Sequence, residues 1–326
     1  MKRYLPAVTV LLLIVATLGS LAIGVTHIDS FWRELFNPGN NVILWQIRFP
    51  RVIAALLVGA ALAVAGLMAQ GACNNALAEP SIVGTSAGAA LATVIAILFG
   101  IVQVGSLGAI AFGVIGAIAA TALTFKLASI RSGLSSFALI IVGIAVTATL
   151  SAIVGISTTM VTRADARSIS FWSFGSLSLM TLDNLFGIFI TAAIGIALAF
   201  SIAPALDRLS LGDATAFHLG VDVAKVRKIA LLAISIAAGG AVSTVGTIAF
   251  LGLAAPHIAR FIYGPAHRFL VIQSSIIGAL ILVIADTLAR TVAQPNELPI
   301  GLVTSLIGAP ILIALVALRN TTWRTP

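Results

Sequence analysis

The sequence predicts an all-α polytopic membrane protein with about ten transmembrane helices. Three observations carry this reading. The 326 residues are 60% hydrophobic and only 9% charged, with a mean hydropathy of +1.15, far from the roughly one-quarter charged residues of a soluble domain. Apolar runs recur along the chain between short polar stretches, at the length of about 17–25 residues that one crossing of the hydrocarbon requires. No stretch alternates apolar and polar residues with period two, so the backbone groups that lipid cannot satisfy must pair within helices rather than in a closed barrel.

In chain order, Lys2 and Arg3 precede an apolar run from Leu5 to about His27. A charged start and apolar core fit a secretory signal, but the run is long for one and reads as an uncleaved first span. A polar, aromatic stretch from His27 to Trp45 follows. Further spans are expected at 52–71, 82–102, 105–127, 136–157 and 184–204. The longest polar interruption of the second half, 207–228, comes next, and then spans at 229–245, 248–264, 270–290 and 300–318.

Lysines and arginines in the loops orient such a chain. With both termini on one side, that side holds Lys2, Arg3, Lys126, Arg131, Arg208, Lys225, Arg227, Lys228, Arg260, Arg268, Arg319 and Arg324. The other side holds Arg33, Arg48, Arg51, Arg163, Arg167 and Arg290. The excess places both termini and the 207–228 stretch in the cytoplasm. It also leaves Arg48 and Arg51 outside against the usual bias, where something acidic is expected to meet them. The net charge of +8 therefore belongs to topology and lipid headgroups, not to nucleic acid.

The spans are rich in small residues, as in VGAALAVAGLMAQGA (58–72) and GTSAGAALA (84–92). Small residues let helix backbones approach closely, and in lipid that packing holds a bundle together. Pro80, Pro256, Pro299 and Pro310 are expected at broken or kinked helices, where each freed carbonyl needs a new partner.

Little resident chemistry is visible. Gly84-Thr85-Ser86-Ala87-Gly88 fits the G-x-S-x-G nucleophile elbow, but that elbow belongs between a strand and a helix, and a packing role is the better reading here. An intramembrane hydrolase using Ser86 stands as a rival. His257, in the eighth span, has no carboxylate nearby in sequence to orient it and reads as a hydrogen-bonded helix histidine. Cys73, the single cysteine, allows no intrachain disulfide and no cysteine metal cluster. None of the four lysines follows a glycine, so the phosphate-cradling Gly-Lys-Ser/Thr loop of an ATPase is absent. Asp286 and Arg290, spaced i, i+4, look like a paired helix end rather than the ion relay of a secondary transporter. A pathway without a visible engine points to an energy-supplying partner.

IRFPRVIAALLVGAALAVAGLMAQ (47–70), NNALAEPSIVGTSAGAA (74–90), FWSFGSLS (171–178), GTIAFLGLAAPHIAR (246–260) and ELPIGLVTSLIGAPIL (297–312) lie in order along nearly the whole chain. Together they resemble the FecCD-type permease subunits of ABC importers for iron-siderophores, haem and cobalamin. The resemblance implies a single permease domain over 1–326 with type II ABC importer architecture, in a bacterial inner membrane. It implies a second permease subunit, identical or not, two cytoplasmic ATP-binding subunits that carry ATP and Mg, and a periplasmic or lipid-anchored binding protein. This chain itself is expected to bind no cofactor and to be no enzyme.

The resemblance also distributes roles. Arg48, Arg51 and Arg290 would dock the binding protein. Asn75 and Leu77, with Ser135 and Ser136, would form a cytoplasmic gate, with Ala76 standing where the family usually has proline. The 207–228 stretch would hold two short coupling helices, broken at Gly212 and Gly220. Asp213, Ala214, Phe217, His218, Leu219 and Val221 would then contact the ATPase. Trp45, Phe171 and Trp172 would lie near the outer face, where they suit a bulky cargo.

Overall fold

The computed structural model describes residues 4–39, 41–103, 105–130, 136–160 and 169–322, with side chains as far as 314. Among these residues the chain is helical throughout. We number the α-helices α1 (Leu5–Ala22), α2 (Phe31–Leu35), α3 (Phe49–Ala72), α4 (Thr85–Leu98), α5 (Leu107–Ala128), α6 (Ser136–Thr159), α7 (Leu182–Leu209), α8 (Asp213–His218), α9 (Val223–Val245), α10 (Leu251–Tyr263), α11 (His267–Thr291) and α12 (Ile300–Thr322).

Each of the ten expected spans meets a helix. Among the described residues, with α12 counted only to 314, seven are long and apolar enough to cross a bilayer by themselves, taking α3 together with the π-turn Ile43–Arg48 that leads into it. That turn starts the second span earlier than hydropathy suggests. Pro50 has no N–H to continue the ladder, so the preceding turn widens, and the Asn41 side chain caps it by accepting the Leu44 N–H at 3.0 Å.

The third and eighth spans are corrected in length. α4 has 14 residues and α10 has 13, about 21 and 20 Å of helix against about 30 Å of hydrocarbon. Their starts are set by backbone that leaves the helical region. Gly84 (φ 86°) precedes α4, and Gly246 (φ 78°) and Phe250 (φ 64°) precede α10. Glycine reaches positive φ without a Cβ penalty; Phe250, at φ 64°, has its N–H bonded to the Glu79 carboxylate at 3.1 Å.

α3 and α9 form the centre, each with 78% of its apolar window buried, whereas α1 and α6 are 17% buried. The predicted small-residue packing occurs at the crossings. Gly59 of α3 and Gly278 of α11 meet backbone to backbone, as do Gly66 of α3 and Gly252 of α10, and Gly88 of α4 and Gly116 of α5. Pro256 removes the amide that would bond the Gly252 carbonyl, and the Gln70 side chain of α3 takes its place, with Nε2 donating to that oxygen at 3.3 Å. Gln70 Oε1 in turn accepts from Arg260 at 3.0 Å.

Side-chain bonds fix the up-and-down order. At one end, called lower here, Arg227 near the start of α9 reaches Ala72 at the end of α3. Asp207 at the end of α7 accepts from the backbone N–H (2.9 Å) and Nδ1 (2.7 Å) of His267 at the start of α11. At the upper end, Arg51 at the start of α3 meets Asp286 near the end of α11, and Arg290 meets Ser20 near the end of α1.

Candidate functional site

The polar stretch 210–222 closes the lower end. Gly212 (φ 99°) and Gly220 (φ 78°) break the chain on either side of α8, where sequence placed the breaks. One short helix forms rather than two. Asp222 accepts the Lys225 N–H at 2.9 Å and so caps α9, and the second expected piece becomes the first turn of that long helix. Ala214, Phe217, His218 and Leu219 are exposed, Phe217 by 71%, although Phe217 is large and apolar. Val221, expected on the same surface, is instead 5% exposed and packed into the core.

Beneath α8 lies Arg227, the largest fully buried side chain of the described residues, 1% exposed. Its Nε donates to the Ala72 carbonyl at 3.0 Å. Nη1 and Nη2 grip the two Asp213 oxygens at 2.9 and 3.0 Å, and Nη2 also donates to Ser136 Oγ at 2.9 Å. A bidentate guanidinium–carboxylate pair fixes angle as well as distance. Sequence reading counted Arg227 only as a topogenic base. Its one signal was position, on the helix side of the Asp222 cap rather than in the loop.

Residues 73–79 connect α3 to the 3₁₀ turn Pro80–Val83. The Asn75 side chain accepts the Leu77 N–H at 2.9 Å, and the Ala78 N–H bonds the Asn75 carbonyl at 3.0 Å. This Asx turn stiffens the loop at the point where Ala76 stands. Leu77 projects, 54% exposed. Ser136 starts α6 within reach of Arg227, and Ser135 lies outside the described residues.

Cys73 follows Ala72 and is buried. Burial pushes its thiol up to about 11, against the lowering influence of the Arg227 charge. Only the thiolate is a nucleophile. The folded chain is therefore expected to resist N-ethylmaleimide near neutral pH and to label about tenfold faster per pH unit as alkalinity rises towards that value. Unfolding should expose the thiol at once; mass spectrometry of timed samples reads all three.

The upper end gathers the three arginines that sequence singled out. Arg48 is 4% exposed, and its guanidinium donates to the carbonyls of Leu21 (2.9 Å), Ala22 (2.7 Å) and Thr26, closing the end of α1. Arg51 Nε donates to Asp286 Oδ1 at 2.8 Å, and Nη1 donates to both Glu297 oxygens at 2.8 and 3.0 Å. Arg290 donates to Ser20 and to the Ile23 carbonyl, with Nε 3.5 Å from Asp286 Oδ2. Acidic groups for Arg51 and Arg290 thus exist within this chain, and an acidic partner would meet those two in competition with Asp286 and Glu297; Arg48 is held by backbone carbonyls instead. The i, i+4 pairing of Asp286 with Arg290 read from sequence is present.

Three motifs that are far apart in sequence converge beside this end. Ser176 N–H bonds the Val245 carbonyl (2.8 Å), Ile300 N–H the Gly175 carbonyl (2.9 Å) and Gly301 N–H the Phe174 carbonyl (3.0 Å). A side chain on Gly246 would collide with the Trp172 carbonyl. Trp172 is 5% exposed and shares a buried cluster with Val242, Ala89 and Ala90; Phe171 is exposed and Trp45 lies against Phe49. Ser86 lies beside Glu79, Ser81 and Thr247 in a pocket of about 100 Å³ at mid-bundle. His257 Nδ1 donates to the Leu253 carbonyl at 2.9 Å, a turn back in its own helix.

The profile of the FecCD transport family matches residues 8–318. The chain belongs to the FecCD transport family. As a FecCD permease it is 39% identical over 303 residues to the iron(3+)-hydroxamate import permease FhuB of Bacillus subtilis, covering 91% of this chain and 78% of that one. It is 37% identical over 320 residues to the hemin transport permease HmuU of Yersinia pestis, covering 94% and 93%. Its fold matches an inward-facing structure of a metal-chelate type ABC transporter with a TM-score of 0.82 at 30% identity, covering 95% of this chain and 97% of that one. Permeases of this family are transport components.

Proposed function

We propose that this chain is the membrane-spanning permease of an ATP-driven importer whose cargo is a large iron chelate of the hydroxamate-siderophore class. The observation that carries the proposal is the whole-length likeness to permeases of iron-hydroxamate and hemin import systems, in a chain that lacks a nucleotide loop of its own. The lower end faces the cytoplasm in this reading. Two ATP-binding subunits, with ATP and Mg, engage the exposed face of α8, and a second permease completes the pathway. Asn75, Leu77, Ser135 and Ser136 close that pathway below. A binding protein delivers cargo at the upper end, where Arg48, Arg51 and Arg290 leave the cluster with one net positive charge after Asp286 and Glu297. Such a field speeds encounter and sets register more than it adds affinity.

The test is reconstitution of the chain with an ATPase and a binding protein in proteoliposomes. Uptake of a ferric hydroxamate that requires ATP is the expected result. Uptake driven by an ion gradient with no ATPase present would overturn the reading, and ATP-dependent uptake of hemin or cobalamin alone would replace the cargo.

A further inference from the structure

Helix α8 is held on the bundle by very little. Only Ala216 of its six residues is buried; the remaining anchor among the described residues, apart from the chain itself, is the pair between Asp213 and Arg227. The two ends of that pair differ sharply. The Asp213 side chain is 47% exposed, on the surface a partner can touch, and the Arg227 side chain is 1% exposed. From inside, the same guanidinium holds the last carbonyl of α3, one residue before the 73–79 loop, and the hydroxyl that opens α6. The last carbonyls of a helix lack intrahelical partners and lie at its negative end, so a cation there is doubly favoured.

We propose that Arg227 is the positioning residue that makes α8, the end of α3 and the start of α6 move as one body. Motion imposed on α8 by a nucleotide-driven partner then reaches the Asn75–Leu77 loop and Ser136 directly. The proposal rests on the reading of α8 as the ATPase contact. Physically, pulling Asp213 away would strand a buried guanidinium without its counterion, and such separation is strongly resisted. Sliding or tilting α8 would break the two-point grip on the carboxylate. Dragging the helix ends along is the easier response. Lysine cannot substitute, because one ammonium on a flexible stem cannot hold a carboxylate at two points, a carbonyl and a hydroxyl in fixed directions.

The test uses the whole complex in proteoliposomes, with ATP hydrolysis and uptake measured in the same vesicles. Asp213→Asn, Ser136→Ala and Arg227→Lys are compared with the unaltered chain. The expected result for Asp213→Asn and Arg227→Lys is a fall of about tenfold in cargo moved per ATP hydrolysed, with a smaller fall for Ser136→Ala, which loses one bond of the set. A merely structural staple would lower uptake, hydrolysis and folded yield together and leave that ratio unchanged, which overturns the proposal. Asp213→Asn keeps shape and an acceptor at a half-exposed site, so it reports even where Arg227→Lys assembles poorly.

A second readout tracks the gate itself. With Cys73→Ser removing the native thiol, Leu77→Cys should label at a rate that changes on adding ATP, and Asp213→Asn should abolish that change. Persistence of the ATP response in Asp213→Asn would overturn the link. If the unaltered chain shows no ATP-driven uptake at all, the transport reading fails first, and the link falls with it before any substitution is made.

Discussion

Asp286→Ala should lower the stability of the purified chain by about 3–5 kcal/mol, read as an earlier thermal unfolding transition in detergent or lipid. The Asp286 side chain is 1% exposed and sits between two cations, 2.8 Å from Arg51 Nε and 3.5 Å from Arg290 Nε. Removing it leaves Arg51 with the partly exposed Glu297 alone, and leaves Arg290 with only carbonyls and a hydroxyl. The penalty is that of burying a charge whose partner is gone, which exceeds the net value of the pair when intact. Asp286→Asn keeps shape and one acceptor, so it should cost less. Glu297→Gln, at a 34% exposed site, should cost least. A change below about 1 kcal/mol in Asp286→Ala, the scale of an exposed pair, would show that these arginines are not held by the fold and stand free for a partner. The same experiment therefore bears on docking: a charge reversal at Arg51 would place three carboxylates together, so any docking measurement on such a variant must begin with its folded yield.

Gly66→Val should abolish the folded chain. A Cβ at Gly66 would collide with the carbonyl, the carbon and the Cα of Gly252, all backbone. Overpacking against a side chain costs about 1–3 kcal/mol because rotamers can shift; here α3 and α10 would have to separate, breaking the Gln70 bond to the same carbonyl. Gly155 in α6 is the matched control, since a Cβ there meets nothing within 4 Å. Gly155→Ala should be neutral or stabilising by about 0.5–1 kcal/mol, because alanine is the better helix former. Monodisperse yield after solubilisation and the thermal transition distinguish the two. A well-folded Gly66→Val chain would refute the close approach of these helices.

These two sites also show where sequence stops being informative. The spans were legible because lipid imposes length and apolarity on each segment separately. The glycine pairs were legible as a class, since small residues mark crossings, but not as pairs: Gly66 and Gly252 are joined by an approach that no local pattern encodes. Arg48 and Arg51 stood out by breaking the charge bias, yet the anomaly pointed outward for an acid, while Arg51 meets acids in this chain, Asp286 being 235 positions away, and Arg48 meets backbone carbonyls. Arg227 was hidden for the same reason. Its carbonyl partner is 155 residues away, whereas charge patterning reports only neighbours within a turn or two. The second short helix expected in this stretch failed on a nearer matter, because Asp222 was available as a cap and turned that segment into the start of α9.

The two short helices have an electrostatic consequence. Gly252 lies against Gly66, six residues and about 9 Å before the end of α3, so α10 begins well inside the bundle. Ser86, in the first turn of α4, lines the same pocket as Gly252. Each helix start carries roughly half a positive charge, and two starts together amount to about one. Glu79 Oε1, accepting from the amide that opens α10, stands at that level. A carboxyl group there sits in the positive field of two helix starts, and deleting it would leave both starts facing the pocket without an acceptor from that side chain.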